Sequence, residues 1–183
     1  VERDDRLGGK IWTDIAEDAN GGRYIADGGS DSFLTDKTAV HRVARLLGVF
    51  ERECGTLDEN KKTFIVKRQE LVEMPDGMMM FAPTKLVPLA TSKLYSWPAK
   101  FRMALDVVIP RKVRWAEGQT AQQHDETLES LVVRRLGREC LDRLAEPLSA
   151  GVNGDVASEM SVAARYPMLL DMEQRYGSLV RGF

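Results

Sequence analysis

The apolar residues of this chain change their spacing along its length, and that change limits the fold more than any other feature. Near the start they alternate. Lys10–Ile15 and Arg23–Ala26 read as two strands around an Asn20-Gly21-Gly22 turn. Val1–Glu2 read as a strand end and Arg3–Gly9 as a loop. Helical spacing then begins. Val40, Val43, Ala44 and Leu47 follow Asp36 as a cap and stop at Gly48. A second hairpin is expected over Thr63–Val66 and Glu70–Met74, closed by a Pro75-Asp76-Gly77 turn.

The rest is helical. Ser96 and Pro98 start a helix whose Trp97, Phe101, Leu105 and Val108 share one face, and Pro110 ends it. After a polar linker over 116–124, helices are expected at Thr127–Leu136 (ending at Gly137), at Glu139–Leu148 (bent at Pro147) and at Pro167–Tyr176, with Leu169, Leu170 and Met172 inward. Strands first, a helical middle and a return define a mixed α/β (α+β) fold, the pattern of an insertion into an α/β domain.

Bulk properties exclude several classes. At 43% hydrophobic and 30% charged the composition is that of a soluble globular protein. No stretch approaches the ~20 apolar residues of a membrane span. Val1-Glu2-Arg3-Asp4-Asp5 is not a secretory signal. Cys54 and Cys140 lack CxxC spacing and read as reduced, which fits the cytoplasm. His41 and His124 lie far apart and outside any ligand-spaced cluster, so no metal site is expected. Charge is uneven: residues 83–115 carry seven Lys/Arg against Asp106 alone, with Tyr95, Trp97, Phe101 and Trp115 among them. That segment invites a membrane-surface reading. The lack of an initiator Met and the ending at Val180-Arg181-Gly182-Phe183 suggest a piece of a longer chain.

Three short blocks could carry chemistry. Glu2 followed by Arg6-Leu7-Gly8-Gly9-Lys10 has the elements of a dinucleotide site: an acid for ribose hydroxyls, glycines that admit a pyrophosphate, and cations to offset it. A surface turn has the same spacing. Asp27-Gly28-Gly29-Ser30-Asp31-Ser32-Phe33 can present successive backbone N–H groups to a ligand, or simply lead into a helix. Pro147–Asp155 reads as a helix end followed by small residues. Lys61, Lys62, Lys67 and Arg68 form a basic group around a hairpin, either a solvated face or partners for substrate carboxylates. Met78-Met79-Met80 reads as adaptable core or as an apolar wall.

Taken in order, these blocks resemble the oxygen-dependent protoporphyrinogen/coproporphyrinogen oxidases, a branch of the monoamine-oxidase-like flavoproteins. Glu2–Lys10 is similar to that family's strand-end acid and Arg-x-Gly-Gly-Lys/Arg pattern, and Asp27–Phe33 to its Glu-x-Gly-Pro-Asp-Ser-Phe block, with Ser30 in place of Pro. Pro75–Lys85, Arg134–Glu139 with Glu146-Pro147-Leu148, and Ser161–Gly182 resemble three further blocks. One departs: Ala150-Gly151-Val152-Asn153-Gly154-Asp155 is a residue short of the family's version and lacks its Tyr.

The resemblance implies a partial Rossmann-like FAD-binding domain over 1–56, an inserted, mainly helical substrate- and membrane-facing domain over 57–150, and a return over 151–183. It implies FAD as cofactor, a porphyrinogen as substrate in heme biosynthesis and O₂ as acceptor. Glu2, Arg3 and Lys10 would lie along the cofactor, with Gly29, Ser30, Asp31 and Ser32 bordering the flavin. Lys61 and Lys62 would meet a substrate propionate. The protein would be cytoplasmic, peripheral at the inner face of the membrane through residues 83–115, with an oligomer left open and no nucleic-acid partner. A carotenoid desaturase-like flavoprotein and an FAD-free membrane-associating module are the alternatives.

Overall fold

A computed structural model describes residues 3–30, 32–35, 38–57 and 62–183, and the chain divides into two units, residues 1–57 and 58–183. Val1, Glu2, Asp31, Asp36 and Lys61 lie outside the described residues, and with them the readings placed on those positions.

In the first unit, β1 (Thr13–Glu17) and β2 (Arg23–Asp27) pair antiparallel, Ile15 opposite Ile25. Asp18 builds the turn between them by accepting from the Asn20 and Gly22 N–H groups, both at 2.8 Å. These bonds, that from Gly22 foremost, hold the Asp18 carboxyl below its usual range. Helix α1 (Thr38–Leu46) carries the expected apolar positions, and at its end Val49 N–H reaches back to Ala44 O at 2.9 Å. None of the unit's described residues is buried, so the face with Val43, Leu46 and Leu47 is open to solvent.

The second unit opens with two small hairpins. Strands β3 (Phe64–Lys67) and β4 (Glu70–Glu73) pair with Val66 opposite Leu71. Arg68 and Gln69 both take positive φ in the turn, as the twist of a two-residue hairpin requires. Strands β5 (Met78–Met79) and β6 (Ala82–Pro83) form the second pair. The methionine run therefore includes a strand, and Met80 turns it at φ 51°.

Helix α2 (Leu86–Thr91) occupies the Pro-punctuated region that showed no helical pattern. Helix α3 (Trp97–Ala104) starts at Ser96, whose hydroxyl accepts from Ala99 N–H. Its larger apolar residues share a face, as the spacing indicates, and that face is the exposed one. Trp97, Phe101, Leu105 and Val108 are 51–67% exposed, while Ala99, Lys100, Met103 and Asp106 are buried. Burial of Lys100 works because its ammonium donates to the carbonyls ending α2, Ala90 O at 2.6 Å and Ser92 O at 2.8 Å.

Helix α4 (Leu128–Arg135) is capped by Thr127 and buries Leu128, Leu131, Val132 and Arg135. The Arg102 guanidinium caps its other end, donating to Val133 O, Arg134 O and Arg135 O. Gly137 is required there: its φ is +97°, and a Cβ would stand 2.6 Å from Arg102 Cγ.

Helix α5 (Arg138–Cys140) runs through a widened π turn (Leu141–Ala145) into α6 (Glu146–Asn153). The bend expected at Pro147 does not end the helix. Pro147 lacks the N–H for an i→i−4 bond and crowds residue 143, and the wider turn takes up that mismatch. The segment Pro147–Asp155, expected as a helix end followed by small residues, is helical through Asn153 and is capped by Gly154.

Helices α7 (Val162–Arg165), α8 (Pro167–Tyr176) and α9 (Leu179–Gly182) complete the unit. Leu169 and Leu170 point inward as expected, and Ser178 caps the last helix, which the sequence reading did not include. The core centres on Leu94, Met103, Leu128, Leu131, Leu144 and Leu169.

One ion pair crosses this core. Arg135 and Asp106 are both fully buried; Arg135 Nε donates to Asp106 Oδ1 at 2.6 Å, and its other nitrogens donate to Ile109 O and Gly177 O. Asp106 also accepts from the Ser178 hydroxyl and Val180 N–H. Beside it, Arg134 bridges Glu126 and Glu173.

Candidate functional site

The first unit brings two remote glycine blocks together. Arg6 folds its loop by donating to Gly9 O at 2.6 Å and Ile11 O at 3.1 Å, with its guanidinium over the Trp12 ring. The β1–β2 ladder is extended by Gly28 N–H bonding Trp12 O at 2.7 Å. That contact seats Gly29 so tightly that a Cβ there would lie 2.0 Å from Lys10 O. The result is a cleft of about 470 Å³ lined by Arg6, Gly9, Lys10, Trp12, Gly28, Gly29 and Ser30.

Of the expected cofactor residues, Lys10, Gly29 and Ser30 share this cleft. Arg3 does not line it; its side chain is 92% exposed and 3.4 Å from Asp4. Ser32 is exposed and also outside the lining. Arg6, read in the sequence as a cation facing the pyrophosphate, donates to the loop's own carbonyls, and Trp12 lines the cleft without having been singled out by the sequence.

A larger cleft, about 770 Å³, opens in the second unit. Lys62, Thr63 and strand β4 contribute part of the lining, the 74–78 turn another part, and Pro88, Thr91, Ser92 and Lys93 the rest. Lys85 is held away from ligands by Asp76 at 2.6 Å. That hydrogen bond, with the Gly77 N–H, keeps the Asp76 carboxyl below its usual range. Lys67, grouped with Lys61 and Lys62 by sequence, instead donates to Lys93 O at 2.5 Å and Leu94 O at 3.0 Å, tying the hairpin to the segment after α2.

Lysine partners separate the structural cations from the available ones. Lys67, Lys85, Lys100 and Lys112 are all engaged. Among the described residues, the ammonium groups of Lys10, Lys62 and Lys93 have no hydrogen-bond or ion-pair partner, and each of these lysines lines one of the two clefts. An ammonium without a protein partner, beside concave surface, can take an anionic ligand without first breaking a protein bond.

Other polar groups are structural. Burial would raise the Glu126 carboxyl, but hydrogen bonds from Arg134 and Ser130 outweigh it and hold the group below its usual range. Burial pushes the Cys140 thiol up to about 12, so it is a core residue rather than a nucleophile. Both cysteines are free.

The fold and the glycine-lined cleft coincide with a family match over almost the whole chain. Residues 1–182 match the model of the flavin containing amine oxidoreductases, and the chain belongs to that family. Coproporphyrinogen III oxidase of Propionibacterium freudenreichii is 32% identical over 98% of this chain and 32% of its own length. The Bacillus subtilis protein of the same name is 29% identical over 100% of this chain and 36% of its own length. Protoporphyrinogen oxidase 1, chloroplastic, of Spinacia oleracea is 31% identical over 100% and 28%. The crystal structure of a "Putative protoporphyrinogen oxidase" from Exiguobacterium sp. 255-15 superposes with a TM-score of 0.75 at 27% identity, over 97% of this chain and 37% of that one. The chain thus spans about a third of the length of the relatives it matches.

Proposed function

We propose that this chain is part of an FAD-dependent enzyme of heme biosynthesis that oxidises coproporphyrinogen III or protoporphyrinogen IX to the porphyrin, with O₂ as acceptor. The observation that carries the reading is the first cleft, where two glycine blocks some twenty residues apart meet beside a partnerless Lys10. The relatives' names point the same way.

The residues present fit one part of the cofactor. Gly9 borders open space, so its backbone can be approached closely, and Lys10 can meet a phosphate as a point charge. Arg6 keeps that loop in shape through its bonds to Gly9 O and Ile11 O. FAD, when bound, would accept the electrons removed from the macrocycle and pass them to O₂. Residues 1–56 would then be part of the FAD-binding domain, 57–150 the inserted helical domain, and 151–183 the return.

The exposed apolar face of α3, in a stretch whose Arg114 has no partner among the described residues, supports docking at a membrane surface. No helix among the described residues is long and apolar enough to cross a membrane. Lys100 and Arg102, which the sequence offered as docking charges, hold carbonyls inside the fold instead. Trp97→Ser with Phe101→Ser is therefore the variant to use in vesicle co-sedimentation.

The function is tested on the full-length protein that carries this chain. Porphyrin fluorescence should appear in air when it is given coproporphyrinogen III or protoporphyrinogen IX, and Lys10→Gln should lower its retained flavin. Absence of porphyrin from both substrates would reject the reading. The isolated 183-residue chain is expected to hold FAD weakly or not at all, and a yellow, flavin-absorbing preparation would contradict that.

A further inference from the structure

We infer that Lys93 is a second carboxylate-binding residue of the larger cleft, and that Lys62 and Lys93 together hold two propionates of a porphyrinogen. The inference rests on the porphyrinogen reading and deepens it. Two segments some thirty residues apart bring these lysines to one cleft, and all four other described lysines of the second unit are committed to protein groups. The Lys67 ammonium, bonded to Lys93 O at 2.5 Å, fixes the Lys93 backbone against the hairpin while leaving its side chain available.

The rest of the lining fits such a ligand. Val72, Met74, Met78 and Pro88 give apolar surface for a flat macrocycle, and a volume of about 770 Å³ is of the right order for one. Glu70 and Glu73 share the cleft, which disfavours a simple polyanion such as citrate. A porphyrinogen carries inner pyrrole N–H donors as well as rim carboxylates, so it can satisfy both kinds of group. Coproporphyrinogen has a propionate on every pyrrole and can reach Lys62 and Lys93 together. Protoporphyrinogen carries two, on neighbouring rings, and can likewise offer one to each lysine.

The test is fluorescence titration of the full-length protein with coproporphyrin III, its tetramethyl ester and protoporphyrin IX. Wild type should bind coproporphyrin III and protoporphyrin IX more tightly than the ester. Lys93→Gln should weaken coproporphyrin III by about tenfold, the worth of one charge-assisted contact. Lys93→Arg should restore most of that loss, and the ester should be indifferent to both changes. Coproporphyrin affinity within twofold of wild type in Lys93→Gln, or equal binding of acid and ester, would overturn the inference. If porphyrinogen oxidation persists in that case, only the role of Lys93 falls. A protein that neither oxidises a porphyrinogen nor binds any of the three ligands rejects both readings.

Discussion

The two units use similar apolar residues to opposite ends. Residues 62–183 close a core around Leu94, Leu128 and Leu144, each 0% exposed, and thread a buried ion pair through it. The described residues of the first unit bury nothing, although α1 has an equally clear apolar stripe. Periodicity alone does not make a core: a stripe needs a second apolar surface at packing distance. The first unit is instead organised by local bonds, such as those of Asp18 in its turn and Arg6 in its loop.

Mutations should expose that contrast. Asp106→Ala should be the most damaging, because it removes the carboxylate 2.6 Å from the buried Arg135 guanidinium and leaves it Glu173 at 3.6 Å; removing one partner of a buried pair costs about 3–5 kcal/mol. Urea unfolding followed by tryptophan fluorescence measures it, and a loss under ~1 kcal/mol would mean the pair is wetter than its geometry shows. Leu131→Ala should come next, at about 2–5 kcal/mol for a fully buried leucine. Ser96→Ala should cost about 1 kcal/mol, as it removes the cap of α3. Glu139 accepts from the same residue's N–H at 2.8 Å, and thermal melts are sensitive enough to register the change.

Acid should act on the second unit in the same direction but by less. Burial would raise Asp125, Glu126 and Glu139, yet hydrogen bonds from Ser161, Arg134 and Ser96 respectively outweigh it and depress all three. Depressed carboxylates contribute their stability above the unfolded range near pH ~4, and that contribution is lost as pH falls through the folded values. Melts that do not weaken between neutral pH and about pH 3 would contradict this. The smallest effect belongs to the first unit: Leu46→Ala, at a residue 80% exposed, should stay within about 0.5 kcal/mol by the same melts. A loss like that of Leu131→Ala would show that α1 has a packed partner after all.

Local signals were legible where the answer was local. Both main hairpins, the helix start at Ser96 and the inward side of α8 follow from turn residues and spacing. The inward side of α3 was not legible. Its larger apolar residues sit on the exposed face, and what buries the other is Lys100 reaching Ala90 O and Asp106 reaching Arg135, pairings that no spacing announces. The candidate site divides the same way. Lys10 and Gly29 stand in readable motifs, whereas Lys93 has none and joins Lys62 only because β4 and α2 frame one cleft. Helix α2 itself was hidden by Pro88, which breaks the usual pattern but is tolerated in the first turn.

Helix-end capping in the second unit also changes what its basic stretch means electrically. Of the seven cations between residues 83 and 115, Lys100, Arg102 and Arg111 terminate on main-chain carbonyls, and Lys85 and Lys112 on carboxylates. A guanidinium that finishes a helix answers the partial negative charge of its exposed carbonyls, so much of its field closes within a few ångströms. The segment is thus far less positive to an approaching ion than its formal charge states. What it carries outward is mainly the apolar side of α3.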